Sequence, residues 1–514
     1  MTDTDHTILG RLFARAAAMP DGLALTAGER RSTWRDLATG TAQFADSVRR
    51  AGIGQGERIG ILAGNRPEAV VAYLGGIAAG CVAVPLPSSL RRADLARLIE
   101  DCAPALLVAD EAGAEAMAGV CAAPVVRVDD AGAGERGPGD VGFDDFVGRG
   151  EAGTPPAAVA PEAAFNIIYS SGTTGRPKGI VHSHRMRNGQ AGRGVFAIGP
   201  DSVMLLATPL YSNTTLMPLL ASLFHGAQVV LMQKFDAGRY LALAEDVRAT
   251  HTMLVPVQYQ RLLAHPRFAD HDLSAFAVKQ CTSAPMAVGL KRDILARWPG
   301  RFVEVYGLTE GGVTVILDAA RHPDKLHTVG RPAPGNEIRV IDQDGHEVAA
   351  GATGEVVGRS PLMMTGYWRR PDADAALEWR APDGTAFFRS GDLGAFDPDG
   401  FLTLQGRKKD LIISGGFNIY PGDLEAVLLE HPDVAEAAVV AAESREWGET
   451  PFGFVVPHAG RQIDAAALRE WANARLGRMQ RLAGLAIRAH LPRSSIGKVL
   501  KSELTTDPAL RDVR

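Results

Sequence analysis

Tyr169-Ser170-Ser171-Gly172-Thr173-Thr174-Gly175-Arg176-Pro177-Lys178-Gly179 follows the apolar run from Phe165 to Ile168 and decides how the rest of the chain is read. Small hydroxylated residues and glycines leave backbone N–H groups and hydroxyls free to wrap phosphate oxygens, while Lys178 supplies charge. Lysine is scarce, nine against 45 arginines, so Lys178 beside Arg176 is not what a flexible Gly/Ser/Thr linker would carry. The stretch is a phosphate loop in composition. It is not the G-x-x-x-x-G-K-[ST] type, which, begun at Gly172, would need glycine where Pro177 stands. A second glycine-rich candidate, Gly132-Ala133-Gly134-Glu135-Arg136-Gly137, runs into Pro138-Gly139, so no helix is expected to start there and offer its N-terminus to a pyrophosphate.

Around the loop, apolar strand-like runs alternate with helix-like segments. Residues 58–63, a helix after Pro67, 81–86, a helix over 89–102, and 105–108 read as β-α-β-α-β. After a Gly/Pro-rich stretch over 131–161 the alternation resumes with strands at 203–207, 228–232, 252–257, 278–282 and 302–306, and helices near 216–225 and 240–248. The expected fold class is therefore α/β, with two similar α/β halves in a large N-terminal domain. From 330 to about 406 the pattern shifts to short β-rich runs with Asp344-Gly345, Asp383-Gly384 and Asp399-Gly400 as hairpin signals, a small β-rich subdomain. The last hundred or so residues predict a small α+β domain, with helices at 423–431 and 465–476 around apolar runs at 437–441 and 452–456.

Composition sets the outer bounds. At 514 residues the chain exceeds a single hydrophobic core, and 46% hydrophobic with 22% charged residues is ordinary for a globular protein. Its 54 basic and 59 acidic residues give a net charge of −5, so no global positive field exists to attract nucleic acid, and small molecules are the expected partners. Cys81, Cys102, Cys121 and Cys281 form no CxxC or Cys/His cluster, which suits a reducing, cytoplasmic setting and suggests no zinc site. The acidic N-terminus and the absence of any apolar run of about 18 residues predict neither a leader nor a membrane span.

Four later segments complete the pattern: Tyr306-Gly307-Leu308-Thr309-Glu310; Arg389-Ser390-Gly391-Asp392; Gly406-Arg407-Lys408-Lys409-Asp410 running on to Ser414-Gly415-Gly416; and Pro492-Arg493-Ser494-Ser495-Ile496-Gly497-Lys498. With the phosphate loop they resemble, in order and spacing and over nearly the whole chain, the AMP-forming acyl- and aryl-CoA synthetase family. That adenylate-forming superfamily also contains firefly luciferase and peptide-synthetase adenylation domains. The resemblance implies an ATP-dependent acyl-CoA synthetase: a carboxylate and MgATP give acyl-AMP and pyrophosphate, then the thiol of coenzyme A displaces AMP.

It also implies roles. Ser170, Ser171, Gly172, Thr173, Thr174, Gly175 and Lys178 would hold phosphates; Ser283, Ala284, Pro285, Tyr306 and Gly307 the adenine side, with Tyr306 against the base; Asp392 and Arg407 the ribose and phosphate. Thr309 would reach the α-phosphate and Glu310 would carry Mg²⁺, a role that suits a hard oxygen donor. Lys498 would be the catalytic lysine bridging carboxylate and α-phosphate, as a mobile point charge can. Lys409 matches the hinge, which divides the chain into an N-terminal domain (1–408) and a mobile C-terminal domain (409–514). Gly415 and Gly416 would face the pantetheine of CoA.

The acid is expected near Tyr211, Ser212 and Asn213, with Met286, Gly311 and Gly312 also lining its pocket. Ser212 stands where the family often has histidine, and a hydroxyl does not titrate near neutral pH, so a His-based switch is not expected. Small residues at Ser283, Ala284, Gly311 and Gly312 predict room for a bulky acyl group. These pocket segments hold no Arg or Lys, which disfavours a dicarboxylate such as malonate, although Arg185 and Arg187 lie close behind the phosphate loop. The chain runs sixteen residues beyond Lys498, too few for an attached carrier domain, so free CoA is the expected acceptor and a separate acyl-carrier protein the alternative. A luciferase-like adenylating oxygenase shares the motifs, and a regulatory nucleotide binder is opposed by the intact Glu310, Asp392 and Lys498.

Overall fold

Arg58–Leu62, Val82–Pro85 and Leu106–Ala109 pair in parallel with Arg58–Leu62 in the middle, the β-α-β-α-β unit expected of them. Their near-continuous apolar runs suit strands buried on both faces. The computed structural model describes residues 6–129, 140–170, 178–415, 417–494 and 497–513. Phosphate-loop residues 171–177, the 132–137 glycine run and Gly416 fall outside the described residues.

Each α/β half carries one sheet. An eight-stranded sheet runs Gly366–Tyr367, Lys178–Ser183, Ala164–Ser170, Val82–Pro85, Arg58–Leu62, Leu106–Ala109, Val125–Arg127, Val141–Gly142. A nine-stranded sheet runs Arg331–Pro332, Thr314–Asp318, Arg301–Gly307, Val278–Cys281, His251–Leu254, Val203–Leu206, Gln228–Leu231, Leu23–Ala27, Arg30–Thr33. The halves trade edges: Leu23–Ala27, early in the chain, lies parallel to Gln228–Leu231 with Leu25 opposite Val229, and Gly366–Tyr367 crosses to pair with Lys178–Ser183. One apolar cluster containing Trp34, Phe44, Tyr73, Phe165 and Leu216 packs both halves together.

Two of the differences from the sequence expectation have a local cause. The strand expected over 252–257 ends at Leu254, because Pro256 begins the helix Pro256–Leu263, where its fixed φ and missing N–H are tolerated at the first position. The helix Trp34–Arg50 and the hairpin before it were not expected; a capping box marks the helix start, Asp36 N–H donating to Thr33 Oγ1 at 3.1 Å and Thr33 N–H to Asp36 Oδ2 at 2.9 Å.

The β-rich subdomain orders Glu337–Ile341, Gly354–Arg359, Ala386–Phe396 and Glu378–Arg380, with Leu402–Arg407 also on Ala386–Phe396. Gly384 and Gly400, at φ of +84° and +78°, supply the turns of its Asp-Gly hairpins. Beyond it, Phe417–Ile419, Ile412–Ser414, Gly448–Pro457 and Val434–Ser444 form another sheet, with Gly484–Ile487 along Gly448–Pro457. The core of that unit, including Ile412, Leu424, Leu428, Val439 and Val455, draws only on residues after 411. Among the described residues no helix is long and apolar enough to cross a membrane.

His184 opens the helix His184–Ala191 and lies buried with its ring 5.0 Å from that of Phe165. Burial lowers its pKa from 6.5 to about 4, so the fold holds it neutral. Its contribution is complete above the unfolded value and is lost as pH falls from 6.5 toward 4. His184→Leu should therefore lose about 2 kcal/mol less stability than wild type between about pH 7 and pH 5, measured by denaturant unfolding.

Candidate active site

Three elements converge on one carboxylate. Tyr306 ends the strand Arg301–Gly307, Asp392 lies in Ala386–Phe396, and Arg407 stands directly opposite Asp392 on Leu402–Arg407. The Tyr306 hydroxyl donates to Asp392 Oδ2 at 2.6 Å, and Arg407 Nε lies 2.5 Å from Oδ1. Ser390 braces the turn: its hydroxyl donates to the Val356 carbonyl at 2.6 Å and accepts from the Asp392 N–H at 2.9 Å. The Asp392 side chain is only 8% exposed. Burial pushes its pKa up, against the opposing pull of Arg407 and Tyr306.

A second cluster surrounds Glu310. The Tyr367 hydroxyl donates to Glu310 Oε1 at 2.8 Å, and Lys178 Nζ stands 5.5 Å from the centre of the same tyrosine ring. Behind it, His182 Nε2 lies 2.7 Å from the Thr309 carbonyl. Ser170 pairs with Lys178 across the hairpin that encloses 171–177, so the loop's ends are fixed beside Glu310; Ser171, Gly172, Thr173, Thr174 and Gly175 lie outside the described residues. Tyr367 was missed by sequence reasoning because it reaches the site only by pairing with Ile180, far away in the chain.

Lys498 enters from the small unit. Gly497 adopts a φ of +81°, and a Cβ there would stand 3.1 Å from Val257 Cγ1 and 3.5 Å from Val255 Cγ2, so its loop lies against the large domain. Arg493 Nη1 donates to the Gly497 carbonyl at 2.6 Å, and the Ser494 N–H donates to the Lys498 carbonyl at 2.8 Å, which ties Gly497 and Lys498 to the residues before them. Lys498 keeps solvent-accessible surface while protein crowds it within the cleft. That crowding and the charge of Arg407 lower its pKa, against the pull of Asp392 and Glu310.

Comparison with known proteins shows the family of the chain. The family model for AMP-binding enzyme matches residues 12–368, and that for the AMP-binding enzyme C-terminal domain matches 423–498. The chain belongs to the AMP-binding enzyme family. A feruloyl-CoA synthase from Amycolatopsis sp is 33% identical over 494 residues, covering 95% of this chain and 96% of the relative. An indoleacetate–CoA ligase from Aromatoleum aromaticum is 32% identical over 504 residues, with the same coverage of 95% and 96%. The crystal structure of ATP-bound MatB from Rhodopseudomonas palustris superposes with a TM-score of 0.87 at 29% identity, covering 97% of this chain and 98% of that one.

In this AMP-binding enzyme, two glycines of the expected acid pocket leave less room than expected. Gly311 and Gly312 were expected to leave volume; instead a Cβ on Gly311 would collide with the Leu362 carbonyl and with Met186 Cε at 2.7 Å, and one on Gly312 would lie 2.8 Å from Phe388 Cβ. Both glycines permit close packing of protein, not of ligand, in that direction. Met286 belongs to the apolar cluster with Cys281 and Ile294. Ser212 caps the helix Asn213–His225, accepting from the Thr214 N–H at 3.2 Å, which gives it a structural use. Thr214 Oγ1 lies 2.7 Å from Ser283 Oγ, and Ser283 holds a φ of +80°, the reason a glycine would sit easily there. Tyr211 OH lies 3.2 Å from Ser89 Oγ, and Ala284 and Pro285 remain at least partly exposed.

The two tyrosine–carboxylate bonds differ in burial, and this is measurable. Tyr306→Phe strands an oxygen of buried Asp392 and should cost about 1–3 kcal/mol by urea unfolding. Tyr367→Phe should cost less, since half-exposed Glu310 regains water.

Proposed function

We propose that the protein is an ATP-dependent acid–thiol ligase that forms acyl-AMP with release of pyrophosphate and then transfers the acyl group to coenzyme A. The observation that carries this reading is the arrival of Lys498, from the small domain, in a cleft shared with Glu310 and Asp392. A carboxylate oxygen must reach the α-phosphorus of ATP, and the Lys498 ammonium can offset the repulsion of two anions as that bond forms. Asp392 spends one acceptor position of each oxygen on Tyr306 and Arg407, and its remaining positions suit the two ribose hydroxyls. Tyr306 offers its ring to adenine, Thr309 its hydroxyl to the α-phosphate, and Lys178 its charge to the outer phosphates. Glu310, with one oxygen fixed by Tyr367, fits a magnesium ion that takes one carboxylate and keeps phosphates and water as its other ligands. The ion would supply charge compensation for the phosphates. Four free cysteines, Cys81, Cys102, Cys121 and Cys281, support a cytoplasmic setting.

Transfer to CoA calls for a second arrangement. We place the domain boundary between Lys408 and Lys409. Glu355 holds Lys408 Nζ at 3.0 Å and Arg389 Nη2 at 2.5 Å, and Arg407 is held by Asp392, so the chain is moored up to 408 and a separate core begins just beyond. Around Gly415, Ile413, Phe417 and Trp447 are 54%, 58% and 42% exposed, an apolar face turned to solvent while Lys498 occupies the cleft. Rotation about Lys409 would withdraw Lys498 and present that face, with Gly415 and Gly416, to the pantetheine thiol.

Pyrophosphate exchange over a panel of ferulic, indoleacetic, fatty and polycyclic acids tests the reading, with CoA and a carrier protein compared as acceptors. No exchange with any acid would refute it. Lys498→Ala should lower acyl-AMP formation by about 3 kcal/mol or more while leaving transfer from supplied acyl-AMP to CoA largely intact. Because the protonated lysine is the active form, the basic limb of the kcat/KM profile for adenylation should fall as pH rises through the Lys498 pKa, below the ordinary 10.5. Lys498→Arg should remove that limb. Lys409→Pro should keep adenylation within about tenfold of wild type, about 1.4 kcal/mol, while CoA transfer falls far more. Equal losses in both half-reactions would refute the rotation.

A further inference from the structure

Behind the cleft lies an arginine with no acid to answer it. Arg187 is 1% exposed, and among the described residues no carboxylate pairs with it. Arg185, two residues earlier, turns outward to Glu162. Arg187 instead gives its Nε and Nη1 to neutral amides, while its buried Nη2 has no partner among the described residues. Its Nε donates to Asn166 Oδ1 at 2.8 Å, and its Nη1 donates to Asn213 Oδ1 at 2.9 Å and to Gln190 Oε1 at 3.1 Å. Burying a cation without a counter-ion costs several kcal/mol or more, so stability alone gives no reason for an arginine here.

The chain of bonds continues. With Asn166 Oδ1 occupied by Arg187, its Nδ2 faces His182 Nδ1 at 3.3 Å, and His182 Nε2 faces the Thr309 carbonyl at 2.7 Å. A carbonyl only accepts, so the proton of His182 resides on Nε2, and Nδ1 is left to accept from Asn166. Each bond therefore fixes the direction of the next. Asn166 and His182 are both fully buried, so no water competes along the line.

The two ends of this line are the two sides of the reaction. Asn213 is the first residue of the helix that borders the expected acid site, and Thr309 precedes Glu310 at the nucleotide site. We propose that Arg187 is a positioning residue for adenylation: through Asn213 on one arm and Asn166–His182–Thr309 on the other, it holds the acid side and the nucleotide side of the cleft in one register. Its planar fork can serve two acceptors in fixed directions, which a lysine ammonium cannot. Errors of about 1 Å in the approach of two reacting groups cost on the order of a hundredfold in rate, so a device that fixes the distance acts on kcat.

This inference rests on the ligase reading, and its test separates the two. Pyrophosphate exchange is measured with the panel acid turned over fastest, for Arg187→Lys, Asn213→Ala, His182→Gln and the double variant Asn213→Ala/His182→Gln. Each single variant should lower kcat, expressed per folded enzyme from the native fraction measured by near-UV circular dichroism, about tenfold or more while the KM for ATP stays within about threefold. His182 and Asn213 have no bond to one another, yet the double variant should be no slower than the worse single one within about threefold, because either change already breaks the same line. Losses that multiply in the double variant would overturn the proposal, as would a KM for ATP that rises in step with the fall in kcat. Full activity in Arg187→Lys would also overturn it. Should Arg187→Lys fail to fold, the Asn213 and His182 pair decides alone. Wild-type silence on every acid sinks the ligase reading itself; normal wild-type exchange with multiplying losses sinks only the positioning role.

Discussion

The buried contact of Asp392 with Arg407 and Tyr306 is the constraint on which the site depends. It ties the end of a strand in the nine-stranded sheet to the β-rich subdomain, and it does so at the last strand before the chain leaves for the small domain. A carboxylate this deep in protein is expensive unless charge and hydrogen bonds answer it. Here one arginine and one tyrosine do so from different elements, so the carboxylate can keep its charge only while three parts of the fold stay in register. The same geometry moors the chain at Arg407, and Glu355 moors it again at Lys408, immediately before the separate core of the small domain begins.

The second cluster obeys a different rule. Glu310, Tyr367 and Lys178 meet at the edge where Gly366–Tyr367 crosses back to the eight-stranded sheet, so that crossing strand builds the cluster we propose as the phosphate side of the cleft. Neither half could supply it alone. The sheet crossover is thus part of the cluster's construction, because it brings Tyr367 beside Ile180 and so beside Lys178.

Much of this was legible in the sequence, and the rest had a physical reason to be hidden. Alternating apolar runs announced the parallel cores of both large sheets, and Asp-Gly pairs announced two hairpins, because those signals are local. Asp392, Glu310 and Lys498 could be picked out because each stands in a dense motif. Tyr367 and Arg187 could not be assigned: a lone tyrosine after glycine and an arginine on a short helix look ordinary until pairing of distant strands aims them inward. Gly311 and Gly312 misled for the opposite reason. An absent side chain reads as space in a sequence, yet Leu362, Met186 and Phe388 fill that space from elsewhere in the chain.

Gly497 shows how the small domain, in the rotation proposed above, comes close enough to deliver Lys498. The backbone beside Lys498 passes close to Val255 and Val257, and any side chain at 497 would press on Val257 in a conformation that disfavours L-residues. The small domain's own core closes among residues after 411, so the proposed rotation would move it as a unit. Under that proposal the charge that serves adenylation is withdrawn together with the domain that carries it, so the arrangement that serves the second half-reaction is one in which the first cannot proceed.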